Sequence, residues 1–228
     1  MCAVGISGIA RVAPVRLEGE HVRLDPLSLE HTAPLLAAAS GSRESYGYTL
    51  VPGNEHEVAR YIEEALAARD AGRALPFATV DRASGRVVGS TRFGNIEFWA
   101  WAPGSPHQRG EEVPDVVEIG WTWLASEAQR TAVNTEAKLL MLRHAFERWR
   151  VHRVSLMTDA RNARSRAAIL RLGARFDGVL RAQRPAADGD IRDTAAYSVL
   201  DREWPDVRAR LESRLRGRER GTVAASPR

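Results

Sequence analysis

Between Val116 and Thr158 the chain spells out strand, polar turn, amphipathic helix and strand, and no other stretch restricts the fold as much. "VVEIGWTWL", Val116 to Leu124, is an extended apolar run, and "HRVSLMT", His152 to Thr158, is another. Between them Leu139, Leu142, Ala145, Phe146 and Trp149 recur at helical spacing. Two strands joined through a helix are natural neighbours in a parallel pair. Asn134 is a good N-cap, so the helix is predicted to start at or just before it. The residues leading in, Thr131, Ala132, Asn134 and Thr135, are small or polar. A helix entered this way turns unpaired N–H groups and the positive end of its dipole outward, and phosphate is the commonest occupant of such a place. An ordinary, well-capped strand-to-helix turn is the competing reading of the same residues.

The rest of the chain supplies a mostly antiparallel sheet around that unit. His21 to Leu27 alternates like a strand, and Ser28 caps a helix reaching Ala39. Asn54 and Glu57 form a capping box ahead of a helix whose buried face is Val58, Tyr61, Ile62, Ala65 and Leu66. Strands follow at Leu75 to Asp81 and Arg86 to Phe98, joined by a turn at Ser84 and Gly85. Trp99 to Asp115, with three prolines and two glycines, is a long irregular loop of the kind that is often functional. A short helix from Ala163 to Leu172 is stopped by Gly173. Strands near Ala174 to Arg181 and Thr194 to Leu200 come next, then a charged helix from Trp204 to about Arg216. The fold class is therefore α+β, with seven strands.

At 228 residues and 44% hydrophobic content, the chain can bury a full core and fits one large domain better than two. The expected division is an N-terminal extension over 1–14, a single domain over 15–216 and a disordered tail over 217–228. No apolar run is long enough to cross a membrane, so no membrane role is expected. Arg11 interrupts the small-residue stretch that might otherwise resemble a signal peptide, and the single cysteine, Cys2, cannot form an internal bridge. A cytoplasmic location is the default. The net charge of +4 is almost all arginine, spread along the chain among acidic residues, with Lys138 the only lysine. That dispersion reads as solvated surface rather than a nucleic-acid face. The six histidines show no metal-ligand spacing, so no metal is expected.

Three motifs stand in order along this frame. "VVEIGWTWL" carries a Glu-Ile-Gly-aromatic strand; Gln129, Arg130, Thr131, Ala132, Val133 and Asn134 open the central helix; and "DARNARSRAAILRLGARFDG" holds Asn162, Ser165, Leu172 and Gly173. Together with the element order, they resemble the GNAT superfamily of acetyl-CoA-dependent N-acetyltransferases, and within it the RimJ/RimL-like branch, over about residues 15 to 203. Ala132 and Asn134 depart from the small-residue consensus of the second motif. The resemblance implies a mixed sheet splayed between its fourth and fifth strands, acetyl-CoA as cosubstrate and a primary amine, either a protein N-terminus or a small molecule, as acceptor. It also implies a homodimer.

The same resemblance distributes the roles. The N–H groups of the loop from Gln129 to Thr135 would face the CoA pyrophosphate, with Asn162, Ser165 and Arg166 contributing further cofactor contacts. A backbone N–H near Trp123 or Leu124 would polarise the thioester carbonyl. Glu118 would be the general base and Ser165 the acid for the leaving thiolate. For Glu118 a strand carboxylate paired with an arginine is the competing reading, and for Asn162 and Ser165 ordinary turn and helix-start residues. Trp99 and Trp101 would wall the acceptor site, against the alternative of core packing. Trp121 and Trp123, alternating with Thr122, read as one sheet face in the core. "RAQRP", Arg181 to Pro185, lacks the second carboxylate of some Rim-type enzymes. Asp188, Asp190 and Asp193 are acceptor-cleft candidates or a solvated loop. Of a different class is an acyl-CoA-binding module that has lost catalysis.

Overall fold

The computed structural model describes residues 12–110 and 112–223. Its strands are β1 (Leu17–Glu18), β2 (Val22–Pro26), β3 (Leu75–Asp81), β4 (Val87–Glu97), β5 (Val116–Leu124), β6 (Arg153–Asp159), β7 (Arg175–Pro185) and β8 (Ile191–Leu200). They form one sheet in the order β1-β2-β3-β4-β5-β6-β8-β7, and β5 with β6 is the parallel pair. The helices are α1 (Thr32–Ala39), α2 (Glu55–Asp70), α3 (Ala132–Arg143), α4 (Ala163–Leu172) and α5 (Trp204–Val223). The mixed, mostly antiparallel α+β class is as expected, with eight strands in place of seven.

The additional strand is β1, only two residues long, and its anchor comes from far along the chain. Glu136 on α3 accepts hydrogen bonds from the N–H groups of Glu20, His21 and Val22 at 2.8, 2.6 and 2.7 Å. A Cβ at Gly19 would fall 2.3 Å from the carboxyl carbon of Glu136, so this turn needs glycine to approach the helix. No local pattern around Leu17 carries that information.

The helix α3 starts at Ala132, just before Asn134, but Asn134 is not its cap. Thr131 is its N-cap: the hydroxyl accepts from Val133 N at 3.2 Å and donates to the carbonyl of Ala128 at 2.7 Å. Asn134 therefore sits inside the first turn. The helix continues as a π-helical turn over His144–Trp149 and ends on Arg150 in the left-handed region. It is buried on nearly all sides, because the sheet covers one face and α5 packs on the other, with Arg143 paired to Glu212 at 3.1 Å.

Ser28 precedes a 3-10 turn, Leu29–His31, and α1 begins after it with His31 at the N-cap position, whereas the signals at Asn54 and Gly173 hold. Asn54 caps α2 by accepting from Glu57 N at 2.9 Å, while the Glu57 carboxylate takes the N–H of Gly53 at 2.7 Å. Asn54→Ala is expected to cost about 1 kcal/mol of stability by urea denaturation, since one helix-end donor loses its partner. Gly173 ends α4 with φ at +106°. The last helix runs on to Val223, past the position 216 at which the sequence suggests it ends.

The sheet has two distinct faces. Thr91 meets Lys138 and Met141 of α3, and Phe93 packs against Trp149 with ring centroids 4.7 Å apart. On the opposite face Ser90 accepts a hydrogen bond from Tyr61 of α2 at 3.0 Å, and the Arg92 guanidinium lies over the same tyrosine ring.

Candidate active site

The parallel ladder between β5 and β6 is short: Val116, Val117 and Glu118 pair with Arg153, Val154 and Ser155. Beyond Glu118, β5 continues to Leu124 paired with β4, while β6 continues to Asp159 paired with β8. The two strands diverge, and a wedge opens in the sheet with Glu118 and Ser155 at its apex. This is the splay expected between the fourth and fifth long strands. A bulge in β5 sharpens it. The register with β4 shifts between Ser90 and Arg92, and Trp121 takes a left-handed φ of +50°.

Glu118 is only 6% exposed, and Asn95 donates to its Oε2 at 2.6 Å. Burial pushes the carboxyl pKa up, opposed by the Asn95 hydrogen bond and by the charges of Arg184 and Arg192. No direct arginine salt bridge holds it among the described residues, so the strand-pair reading of Glu118 does not describe its surroundings. Asn95 itself sits at φ +43°, where β4 bulges between Gly94 and Glu97. It is the orienting residue that sequence reasoning missed, and only the β4/β5 register brings it to Glu118.

At the open end of the wedge lies the entry to α3. Gln129 is tied inward, donating to Ser45 Oγ and to the Leu124 carbonyl, both at 2.8 Å, and accepting from Arg164 at 2.8 Å. Arg130 has φ +62°, which turns the chain sharply into Thr131. Thr131 occupies Val133 N, leaving the first-turn N–H groups of Ala132 and Asn134 directed out of the helix end, while that of Thr135 begins the helical ladder. The Leu124 carbonyl also accepts from Tyr46 at 3.0 Å, so what Leu124 can offer a ligand is its N–H.

The family model for the Acetyltransferase (GNAT) domain matches residues 21–175, which span β2 to the start of β7 and so include the wedge, Glu118 and the α3 entry. The chain belongs to the GNAT acetyltransferase family. A GCN5-related N-acetyltransferase from Brucella melitensis is 28% identical, with a TM-score of 0.74 over 89% of this chain and 86% of that one. The "Putative ribosomal N-acetyltransferase YdaF" of Bacillus subtilis is 32% identical over 94 residues, 41% of this chain; the match spans 50% of that relative's length. Mycobacterium smegmatis RimJ, solved in complex with CoA-disulfide, shares the fold at 22% identity, with a TM-score of 0.69 over 88% of this chain and 92% of that one. The RimJ/RimL-like character expected from the motifs agrees with these relatives.

Within this GNAT domain the remaining expected residues fall into two groups. Asn162 caps α4 by accepting from Ser165 N at 2.9 Å, so its carbonyl oxygen is spent and its amide N–H groups are what it can offer a ligand. Arg166 donates to Tyr197 Oη at 3.1 Å and to the Ala160 carbonyl at 3.2 Å, a structural use of most of its guanidinium. These three residues and the α3 entry lie at the C-terminal ends of β6 and β5. Trp99 and Trp101 lie at the other ends of those strands. Asp115 accepts from Trp99 N at 2.7 Å and from Trp101 Nε1 at 2.9 Å, and His152 stacks on Trp99 with centroids 5.8 Å apart. Asp115 precedes Glu118 by three strand residues, about 10 Å along β5. The long loop is thus pinned to the closed end of the wedge, where Arg109 also binds Asp201 and the Arg150 carbonyl.

Trp121 and Tyr61 are the aromatic groups that flank Arg92 on the Glu118 face. Trp123 is core, 3% exposed and edge-on to Tyr46, but Trp121 is 37% exposed and lies over Gly94, where a Cβ would come within 2.3 Å of its ring. Asp188 and Asp190 pair with Arg161, which also holds the buried Asp159. Asp193 accepts from Ala182 N at 2.7 Å. All three acidic candidates are engaged in holding the β7–β8 hairpin. Among the described residues no group of three or more His, Cys, Asp and Glu could hold a metal ion, and no helix is long and apolar enough to cross a membrane.

Proposed function

We propose that this protein is an acetyl-CoA-dependent N-acetyltransferase that delivers the acetyl group to a primary amine, a protein N-terminus or a small molecule, by direct attack in a ternary complex. The observation that carries this reading is a buried, desolvated carboxylate, Glu118, at the apex of a wedge whose open end is a helix N-terminus. The donor fits the wedge: the diverging edges of β5 and β6 leave backbone groups for the pantetheine amides, and the N–H groups of Ala132 and Asn134 suit a pyrophosphate.

Glu118 takes a proton from the incoming ammonium, directly or through a water, and burial poises it for that by raising its proton affinity toward neutral pH. Asn95 holds one carboxylate oxygen and leaves the other free to accept. The N–H groups of Trp123 or Leu124 polarise the thioester carbonyl, and Ser165, half-buried at the start of α4, returns a proton to the departing thiolate. Release of free thiol from acetyl-CoA in the presence of a panel of amines tests the assignment. CoA binding without thiol release for any amine would leave a binding module in its place.

The donor half is tested separately. Ala132→Asp sets a carboxylate against the pyrophosphate, and CoA affinity measured by calorimetry is expected to fall by more than roughly 1 kcal/mol. An unchanged affinity in a folded variant would remove the phosphate role of this loop.

A further inference from the structure

On the α2 face of the sheet, beside Glu118, Arg92 is 7% exposed. Its guanidinium lies between two aromatic rings, 5.0 Å from the centroid of Trp121 and 5.1 Å from that of Tyr61. Its Nε has no hydrogen-bond partner, and no carboxylate pairs with it among the described residues. A buried cation is normally matched by an anion, and ring faces compensate it only in part. In this chain Arg23, Arg143, Arg161 and Arg208 all have carboxylate partners.

The strand register fixes where this unpaired charge sits. Arg92 is opposite Gly120, and Gly94 is opposite Glu118, so Arg92 and Glu118 are diagonal neighbours on one face. Glycine at 120 lets the Glu118 carboxylate lean across the floor on the Arg92 side: a Cβ there would stand 2.8 Å from Glu118 Oε1. From the other side of the wedge, Arg184 and Arg192, cross-strand partners on β7 and β8, bring two more guanidinium groups within electrostatic reach of Glu118. Arg192 Nε is likewise buried without a partner. Glu118 therefore has Arg92 diagonal to it on its own face and Arg184 and Arg192 across the wedge, Arg192 being shared with Asp159, itself bound to Arg161. A simple ammonium acceptor would enter a site of excess positive charge, whereas an amine that brings its own anion would balance it.

We propose that the acceptor carries a carboxylate close to its amino group, and that Arg92 binds this carboxylate while Glu118 faces the amine. A guanidinium offers the planar, two-donor geometry that a carboxylate takes up, and the two flanking rings restrict where that group can move. The carboxylate could belong to a free amino acid or to an acidic side chain next to a peptide N-terminus. This inference rests on the Glu118 side of the wedge being the acceptor site.

The test uses the full chain, acetyl-CoA and matched probe pairs. One arm compares free α-amino acids with their carboxamides, and the other compares C-terminally amidated peptides with Asp or Asn at position two. In the arm that matches the acceptor, thiol release is expected to favour the carboxylate member at least tenfold in kcat/KM, mainly through KM. Arg92→Gln is expected to collapse that ratio, Arg92→Lys to retain part of it, and both to leave calorimetric CoA affinity unaltered. No preference in either arm for the wild-type protein overturns the inference, whatever the variants do. So does an Arg92→Gln variant that keeps the ratio, or one that loses CoA affinity, which would assign Arg92 to the donor. Should no probe turn over, calorimetric binding of the same pairs to the CoA-saturated protein decides by the same ratio. CoA that fails to bind at all would instead remove the acetyltransferase reading.

Discussion

Glu118→Gln is expected to lower kcat/KM at neutral pH by on the order of a hundredfold, the usual contribution of a positioned general base. The amide keeps the shape of the side chain and can still accept from Asn95, so packing at the wedge apex is retained and proton uptake is lost. The deficit should shrink as pH rises toward the pKa of the acceptor, because the free amine then no longer needs a base. The wild-type profile carries a second signature. Burial raises the Glu118 pKa above the ordinary carboxylate value, so activity should fall on the acid side at a higher pH than a solvent-exposed glutamate would dictate. A variant with near wild-type rates across the pH range would place the proton transfer elsewhere.

Replacing Lys138 by Met should stabilise the protein and flatten its pH dependence. The ammonium of Lys138 is fully buried on α3, and its partners are hydroxyls: Nζ lies 2.7 Å from Thr122 Oγ1 and 3.1 Å from Thr91 Oγ1. Desolvation without a carboxylate lowers its pKa from 10.5 to about 7. Between those two values the unfolded chain holds a proton that the native chain has released. Unfolding stability therefore rises with pH from about 7 toward 10.5, with a limiting slope near 1.4 kcal/mol per pH unit. Below about 7 both states are protonated and the slope vanishes, which leaves the penalty for the buried amine fully present. Methionine removes the penalty at similar volume, and Thr91 and Thr122 remain hydrogen-bonded to each other at 2.8 Å. Chemical denaturation across pH 7 to 10 reads both effects, and an unaltered slope in the variant would contradict them.

The two experiments separate polar groups of different kinds within one sheet. Glu118 and Lys138 are both buried ionisable residues near β5, and sequence alone does not tell them apart. Glu118 faces the wedge on the α2 side and borders an opening. Lys138 faces the α3 side, where sheet and α5 close over it.

What the sequence determined by itself is local or rests on order along the chain. The Asn54–Glu57 cap, the stop at Gly173, the helical spacing through Trp149 and the parallel partnership of two strands around one helix are set by residues a few positions apart. The family resemblance, carried by motifs in order, added the splay and the position of the proposed base. What the tertiary structure decided depends on pairing across distance. Thr131 rather than Asn134 caps α3, because the Arg130 backbone turns into the left-handed region one residue earlier. Trp99 and Trp101 are drawn to Asp115 and His152 at the closed end of the wedge, while the bulge in β5 turns Trp121 toward Arg92. Asn95 reaches Glu118 only through the β4/β5 register, and Glu136 clamps the β1–β2 turn from more than a hundred residues away. A strand pattern repeats every two residues and so cannot count its own bulges or name its partner. Register and burial belong to the assembled sheet, and they are what place a charge in a site or seal it in a core.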